Sequence, residues 1–165
     1  MAWQEEVTET ARVVLGDLEV PYTYPDDRIE RISIVAATQV LNETDFDNNY
    51  IVDVSLSSIV PDPTQQTVKD NIFVCLVALK TACLIINASV KQYAGIGGIN
   101  VHDGPSSVDT KGLFANFIAL DKQYKDDYEF LKMNYKIMRS NANSQAILTC
   151  TTNRNIYGSM QALSF

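Results

Sequence analysis

A single histidine and an odd trio of cysteines leave this chain poor in the side chains that catalysis and metal binding use most. His102 has no metal-ligand cluster and no nucleophile motif around it. Asp103 and Asp109 lie close to it in sequence, but proton transfer requires a pocket and a positioned substrate, so a turn histidine at an interface is the better reading. Cys75 and Cys83 sit in an apolar helical run, where a thiol behaves as a small hydrophobe, and with Cys150 they point to synthesis in a reducing interior. Phosphate loops are missing too. Gly95-Ile96-Gly97-Gly98 follows a helical pattern, whereas the pyrophosphate-binding turn follows a strand, and Gly104-Pro105-Ser106-Ser107 has neither the lysine nor the spacing of a P-loop. Asp45-Phe46-Asp47-Asn48-Asn49 starts like a calcium loop, yet Tyr50 stands where such a loop needs glycine and Leu56 where it needs a bidentate glutamate. The acidic N-terminus has no signal-peptide character, and the longest apolar run, Ile72 to Leu79, stops at Lys80, short of the ~20 residues of a bilayer span. No internal repeat or low-complexity block is evident. The expectation is a soluble protein without export signal, cofactor, metal or catalytic residue, and not an enzyme.

The 165 residues, 46% hydrophobic, suffice for one sizeable core. Charge is uneven. Through Asp62 there are thirteen acidic residues against three arginines (−10), and the remainder has seven acidic and ten basic residues (+3), which together give −7. An acidic first half repels nucleic acid and anionic membrane, although an acidic wall suits a conduit through which DNA slides without sticking. Asp26, Asp27 and Glu30 resemble a carboxylate cluster, but they fall where a helix N-terminus favours negative charge for its own sake.

Gln4 to Leu15 places Val7, Ala11, Val14 and Leu15 on one face and ends at Gly16-Asp17, a helix stop. After Pro21, Thr23-Tyr24-Pro25-Asp26-Asp27 supplies a capping residue, an early proline and first-turn acids for a second helix through Leu41, with Ile29, Ile32, Ala36 and Val40 recurring at helical spacing. Tyr50 to Leu56 alternates as a half-buried strand, with Tyr50, Val52, Val54 and Leu56 on one face. Pro61-Asp62-Pro63-Thr64 breaks the strand and is placed to cap a helix from Gln66 to about Tyr93, apolar almost all round and therefore enclosed by other helices or a neighbouring subunit. Ile99 and Val101 alternate before Asp103-Gly104, a tight-turn pair, and Val108 pairs back before Asp109 caps the last helix. From Leu113, apolar positions step by threes and fours through Phe117, Leu120, Tyr124, Tyr128, Leu131, Tyr135 and Met138; at ~1.5 Å per residue such a helix extends roughly 40 Å. Its tyrosines suit a helix-helix seam better than base stacking, because Asp126, Asp127 and Glu129 oppose a phosphate track. Residues 141–165 carry one charge, Arg154, and no helical period. With Ile147, Leu148, Ile156, Tyr157, Met160, Leu163 and Phe165 scattered along them, they read as an extended docking tail, and Ala146 to Thr152 has strand propensity. The expected fold is thus mainly α: a helical bundle with two long helices, a short strand, a small β-hairpin at about 96–109, and an extended C-terminal tail, divided as 1–140 and 141–165.

In their order these features resemble the head-tail connector, or adaptor, proteins of tailed bacteriophages. The resemblance is carried by the short first helix, the run Asp26 to Ala37, the strand before Pro61-Asp62-Pro63-Thr64, the apolar helix with Leu79 to Cys83, the Asn100 to Asp109 ribbon and the long last helix, and it covers roughly Val20 to Met138. It implies a subunit assembled in the bacterial host cytoplasm into a homo-oligomeric ring, commonly a dodecamer, at the head-tail junction of the virion, beneath the portal protein. Such a ring extends the DNA channel and docks the next neck or tail protein, with DNA as a non-specific neighbour and no membrane partner. Carried onto this chain, Ile99, Val101, His102, Asp103 and Val108 become contacts of an exposed ribbon with neighbouring subunits. Tyr128, Tyr135, Ile147, Leu148, Ile156, Tyr157 and Phe165 become contacts of the last helix and tail with portal or adjacent subunits. Glu5, Glu6, Asp26 and Asp27 are candidates for the channel wall. Two alternatives stand beside this one: another virion role, such as tail terminator or head completion, and a small helical ligand-binding or hydrolytic domain built around His102.

Overall fold

The computed structural model describes the backbone of residues 3–96, 101–103, 106–108 and 110–160, and side chains within 3–92, at 94 and within 115–141. It is mainly helical, with four helices and two small antiparallel hairpins, and it divides into two compact units, Met1–Phe130 and Leu131–Phe165. That division falls earlier than the expected boundary at residue 140.

Helix α1, Trp3–Leu15, buries Trp3, Val7, Thr8, Ala11 and Arg12. It stops as its sequence dictates. Gly16 adopts φ 68°, a left-handed conformation that costs glycine little, so its N–H donates to the Val13 carbonyl and the Asp17 N–H to that of Arg12. Helix α2, Asp26–Glu43, opens with Pro25 in the capping position and Asp26 and Asp27 in its first turn. The expected cap from Thr23 is absent, because Pro25, which has no polar side chain, takes the capping position; the Thr23 N–H donates to Asp17 Oδ1 at 2.8 Å, which shapes the preceding loop. Ile29, Ser33, Ile34, Ala36, Ala37 and Val40 are buried.

The expected strand Tyr50–Leu56 is shorter. Strand β1, Ile51–Asp53, pairs antiparallel with β2, Ser58–Val60, a partner the sequence reading lacked. Asp53 ends β1 chemically, because its Oδ1 accepts the N–H groups of Ser55 (2.9 Å) and Leu56 (3.1 Å), and Ser57 completes the turn at φ 49°. The apolar face therefore does not continue: Tyr50 is buried while Val54 and Leu56 are exposed.

Helix α3, Asn71–Ile96, starts later than Gln66 and is capped by a different residue. Asp62 is consumed locally, accepting the Thr64 N–H and hydroxyl. Asp70 caps α3 instead, accepting the Phe73 N–H at 3.0 Å, while its other oxygen accepts the Tyr50 hydroxyl at 2.8 Å. Tyr50 also stacks on Phe73 with centroids 4.4 Å apart, and Phe46 meets both rings edge-on, which fastens the loop before β1 to the first turn of α3. Phe73, Leu76, Val77, Ala78, Ala82 and Ile85 are fully enclosed, chiefly by α1 and α2 of the same chain. By length and composition the stretch Asn71–Gln92, mean hydropathy 2.1, is enough to cross a bilayer, contrary to the estimate from Ile72 to Leu79 alone; with 61% of it buried in the fold, it is a core helix.

Strands β3, Val101–Asp103, and β4, Ser106–Val108, form the anticipated hairpin, with Val101 opposite Val108 and His102 opposite Ser107. The Asp109 cap and the alternating Ile99 lie outside the described residues. Helix α4 runs from Thr110 to Met160, so the backbone of residues 141–160 is helical where an extended tail was expected. The reason is physical. Ser, Thr and Asn lower helix propensity by only tenths of a kcal/mol each, roughly 0.5 relative to alanine, and no proline and no glycine lies between Gly112 and Gly158 to stop the helix.

Candidate interaction surfaces

Three polar clusters in the first unit could be mistaken for chemical sites, and each turns out to serve packing. The first is centred on Arg12, 1% exposed at the joint between α1 and α2. Its guanidinium donates to Asp17 Oδ2 at 3.0 Å, to the Tyr24 carbonyl at 2.9 Å and to Asp26, and it lies 3.8 Å from the centroid of the Tyr22 ring. Asp17 also accepts the Thr23 and Tyr24 N–H groups. Burial pushes the Asp17 carboxyl upward, but the Thr23 and Tyr24 donors together with Arg12 outweigh it and hold the group below the usual carboxylate range. With both terminal nitrogens bound to its own chain and only Nε without a partner, the guanidinium clamps the α1–α2 loop.

The second cluster joins α2, α3 and the part of α4 that belongs to the first unit. Glu43 accepts from Lys80 Nζ at 2.7 Å and from the Tyr128 hydroxyl at 2.9 Å, and Lys80 lies 4.5 Å from the centroid of the Tyr128 ring. Burial and the bond to Glu43 raise the Tyr128 phenol well above its ordinary value, so it remains a neutral donor. Beside it lies a cleft of about 440 Å³ lined by Gln39, Lys80, Cys83, Lys125, Tyr128 and Glu129, among others. The one thiol there is unsuited to nucleophilic work, since burial pushes Cys83 up to about 11. The third cluster is Tyr50 with Asp70, where burial and the carboxylate push the phenol up to about 12. Among the described residues no group of three or more His, Cys, Asp or Glu side chains could hold a metal ion.

The outer face of the β1–β2 hairpin is different. Ile59 on β2 is buried, while Ile51 and Val60, directly opposite each other, are 67% and 61% exposed, with Leu56 at the turn 74% exposed. A two-stranded hairpin packed on one side is expected to show polar residues on the other, so an apolar cross-strand pair facing solvent is a candidate contact surface. In the second unit, Met133 and Ile137, one helical turn apart on α4, are 63% and 51% exposed.

The residues singled out from sequence fall unevenly on this structure. Tyr128 is a correction. At 2% exposure it is spent on Glu43 and Lys80 inside the first unit and is not presented to a partner. Tyr135 lies on α4 in the second unit and is half-buried. Val101, His102, Asp103 and Val108 are on the β3–β4 ribbon as expected, and Ile147, Leu148, Ile156 and Tyr157 are on α4, not in an extended tail. Ile99 and Phe165 lie outside the described residues. Of the four acids proposed for a channel wall, Glu5, Asp26 and Asp27 are exposed, and Asp26 is paired with Arg12 and Glu6 with Lys69. The sequence reading missed Ile51, Val60, Met133 and Ile137; the first two were hidden because the partner strand was not seen, and the last two because Phe117-to-Met138 periodicity draws attention to one face of α4 only. None of the family models, curated proteins or solved structures compared with the chain matches it.

Proposed function

We propose that this chain is a structural subunit of a tailed-phage virion, a head-tail connector that assembles as a ring beneath the portal, extends the DNA channel and docks the next neck or tail component. The observation that carries the reading is the apolar outer face of hairpin β1–β2, which stays exposed at Ile51, Leu56 and Val60, while the Arg12 and Tyr128 clusters are engaged within the first unit. Further support comes from the order of elements that underlies the resemblance: α1, α2, a strand before Pro61-Asp62-Pro63-Thr64, the apolar α3, the β3–β4 ribbon and the long α4. In the proposed ring this surface is buried through a heterologous contact, which closes when the rotation between copies permits. Of the four acids offered for the channel wall, Glu5 and Asp27 are exposed and outside the ion pairs that hold Glu6 and Asp26, and in this reading their charge keeps packaged DNA mobile.

The test is a count of copies by quantitative mass spectrometry of purified virions against portal and major capsid subunits. About a dozen copies, equal to portal, is the expected result for a closed connector ring. A much larger number moves the chain to tail or capsid, and absence from the particle overturns the virion reading altogether.

A further inference from the structure

The cleft beside Tyr128 is walled by three helices of the first unit: α3 contributes Leu84 and Asn87 from one face, α2 contributes Gln39, and α4 contributes Lys125 and Tyr128. Its volume of about 440 Å³ lies in the range of sites that enclose small molecules, which commonly sit between the helices of a bundle. The charges on its lining are balanced. Lys80 is paired with Glu43 and lies against the Tyr128 ring, Lys125 is paired with Asp121, and Glu129 is an exposed acid on the same lining. An ion of either sign entering the cleft therefore meets a like charge as well as an unlike one and gains little over water. Two carboxamides differ from these groups. Gln39 and Asn87 are half-buried on different helices, and among the described residues neither makes a side-chain hydrogen bond. Each has a carbonyl acceptor and two N–H donors to offer. On the same face of α3 as Asn87, half-buried Leu84 and buried Cys83 supply apolar surface.

We infer that this cleft binds a small neutral molecule that has an apolar body and an amide edge, either a carboxamide or a cyclic amide. The amide edge hydrogen-bonds to Gln39 and Asn87, and the body lies on Leu84 and Cys83. An amide is the complement of a carboxamide, because donor and acceptor are then satisfied on both sides. Neutrality follows from the balanced charges, and the apolar body from the α3 wall. The inference goes beyond the connector reading and does not depend on it, since the ligand meets the single chain and needs no neighbouring subunit.

The experiment is an NMR titration of the purified full chain, observed on protein signals, with three probes of similar size: benzamide, benzoate and benzylamine, which at neutral pH are uncharged, anionic and cationic. Benzamide is expected to shift the side-chain NH2 signals of Gln39 and Asn87 and the methyl signals of Leu84, and to bind at least about tenfold more tightly than either ion. Gln39→Leu and Asn87→Leu should each weaken benzamide about fivefold, the worth of one net hydrogen bond. The site is overturned by any of four results: no shift at the limit of benzamide solubility, shifts confined to residues away from the cleft, benzoate or benzylamine binding as tightly as benzamide, or both variants binding as wild type does. The comparison of the three probes uses the wild-type chain, so it decides the matter even where a variant fails to fold. The virion count tests the connector reading separately, and neither result bears on the other.

Discussion

Replacing Arg12 with methionine tests whether the α1–α2 joint depends on the buried guanidinium. The substitution keeps an unbranched apolar stem of comparable length and removes the charge and all three of its donations: to Asp17 Oδ2, the Tyr24 carbonyl and Asp26. Asp17 then remains as a buried carboxylate, its side chain 6% exposed, without its cation. Breaking such a pair from one side costs roughly 3–5 kcal/mol, and because Asp17 keeps the Thr23 and Tyr24 N–H donors the lower end, about 3 kcal/mol, is expected. Asp26, with a side chain 60% exposed, adds no more than about 1 kcal/mol. For a chain of this length the loss corresponds to a fall in Tm of roughly 6–12 °C. Urea unfolding followed by circular dichroism measures the global change, and Trp3, the only tryptophan and 3% exposed on α1, reports by fluorescence whether that helix undocks. Adding Asp17→Asn to Arg12→Met removes the stranded charge, so the double variant should be more stable than Arg12→Met alone. An Arg12→Met protein within about 1 kcal/mol of wild type, with Trp3 emission unchanged through the transition, would refute the reasoning.

Two further outcomes follow from the same structure. Because the folded Asp17 carboxyl titrates below its ordinary value of about 3.9, its contribution to stability should be complete above about pH 4 and decline as pH falls through the folded value; wild type and Asp17→Asn should therefore converge in acid urea titrations, and a gap that widens on acidification would contradict the assignment. In a Cys150→Ser background at pH 8, a disulfide reagent should modify exposed Cys75 quickly and Cys83 far more slowly, since a thiol at about 11 is thiolate in only about one molecule in a thousand and is also buried; equal rates at the two positions would show that the α3 core opens readily.

The helices were legible because each repeats its signal over several turns. Val7 and Ala11 in α1, Ile29, Ala36 and Val40 in α2, and the uninterrupted apolar run of α3 point to their buried faces without reference to any neighbour, and Gly16 marks its stop through a backbone conformation that glycine adopts at little cost. The β3–β4 ribbon was legible for a related reason, since a turn-forming pair between alternating residues specifies a hairpin locally. Other boundaries were missed where one side chain had two possible uses. Asp62, Asp70 and Thr23 all have the chemistry of caps, and only the folded chain shows Asp62 closing its own turn, Asp70 capping α3 and Pro25, not Thr23, at the start of α2.

What the amino-acid sequence determined by itself is therefore the mainly helical class, the core faces of α1 to α3, the stop at Gly16, the ribbon between two long helices and the segregation of acidic from basic residues. Tertiary structure alone decided that Arg12 and Tyr128 are spent internally, that Ser58–Val60 returns to pair with Ile51–Asp53, and that Ile51 and Val60 face solvent. The physical reason is range. Periodicity, turn propensity and charge are properties of neighbouring residues, whereas the use of a guanidinium, a phenol or a strand face depends on partners many residues away, which only folding brings within hydrogen-bonding or packing distance.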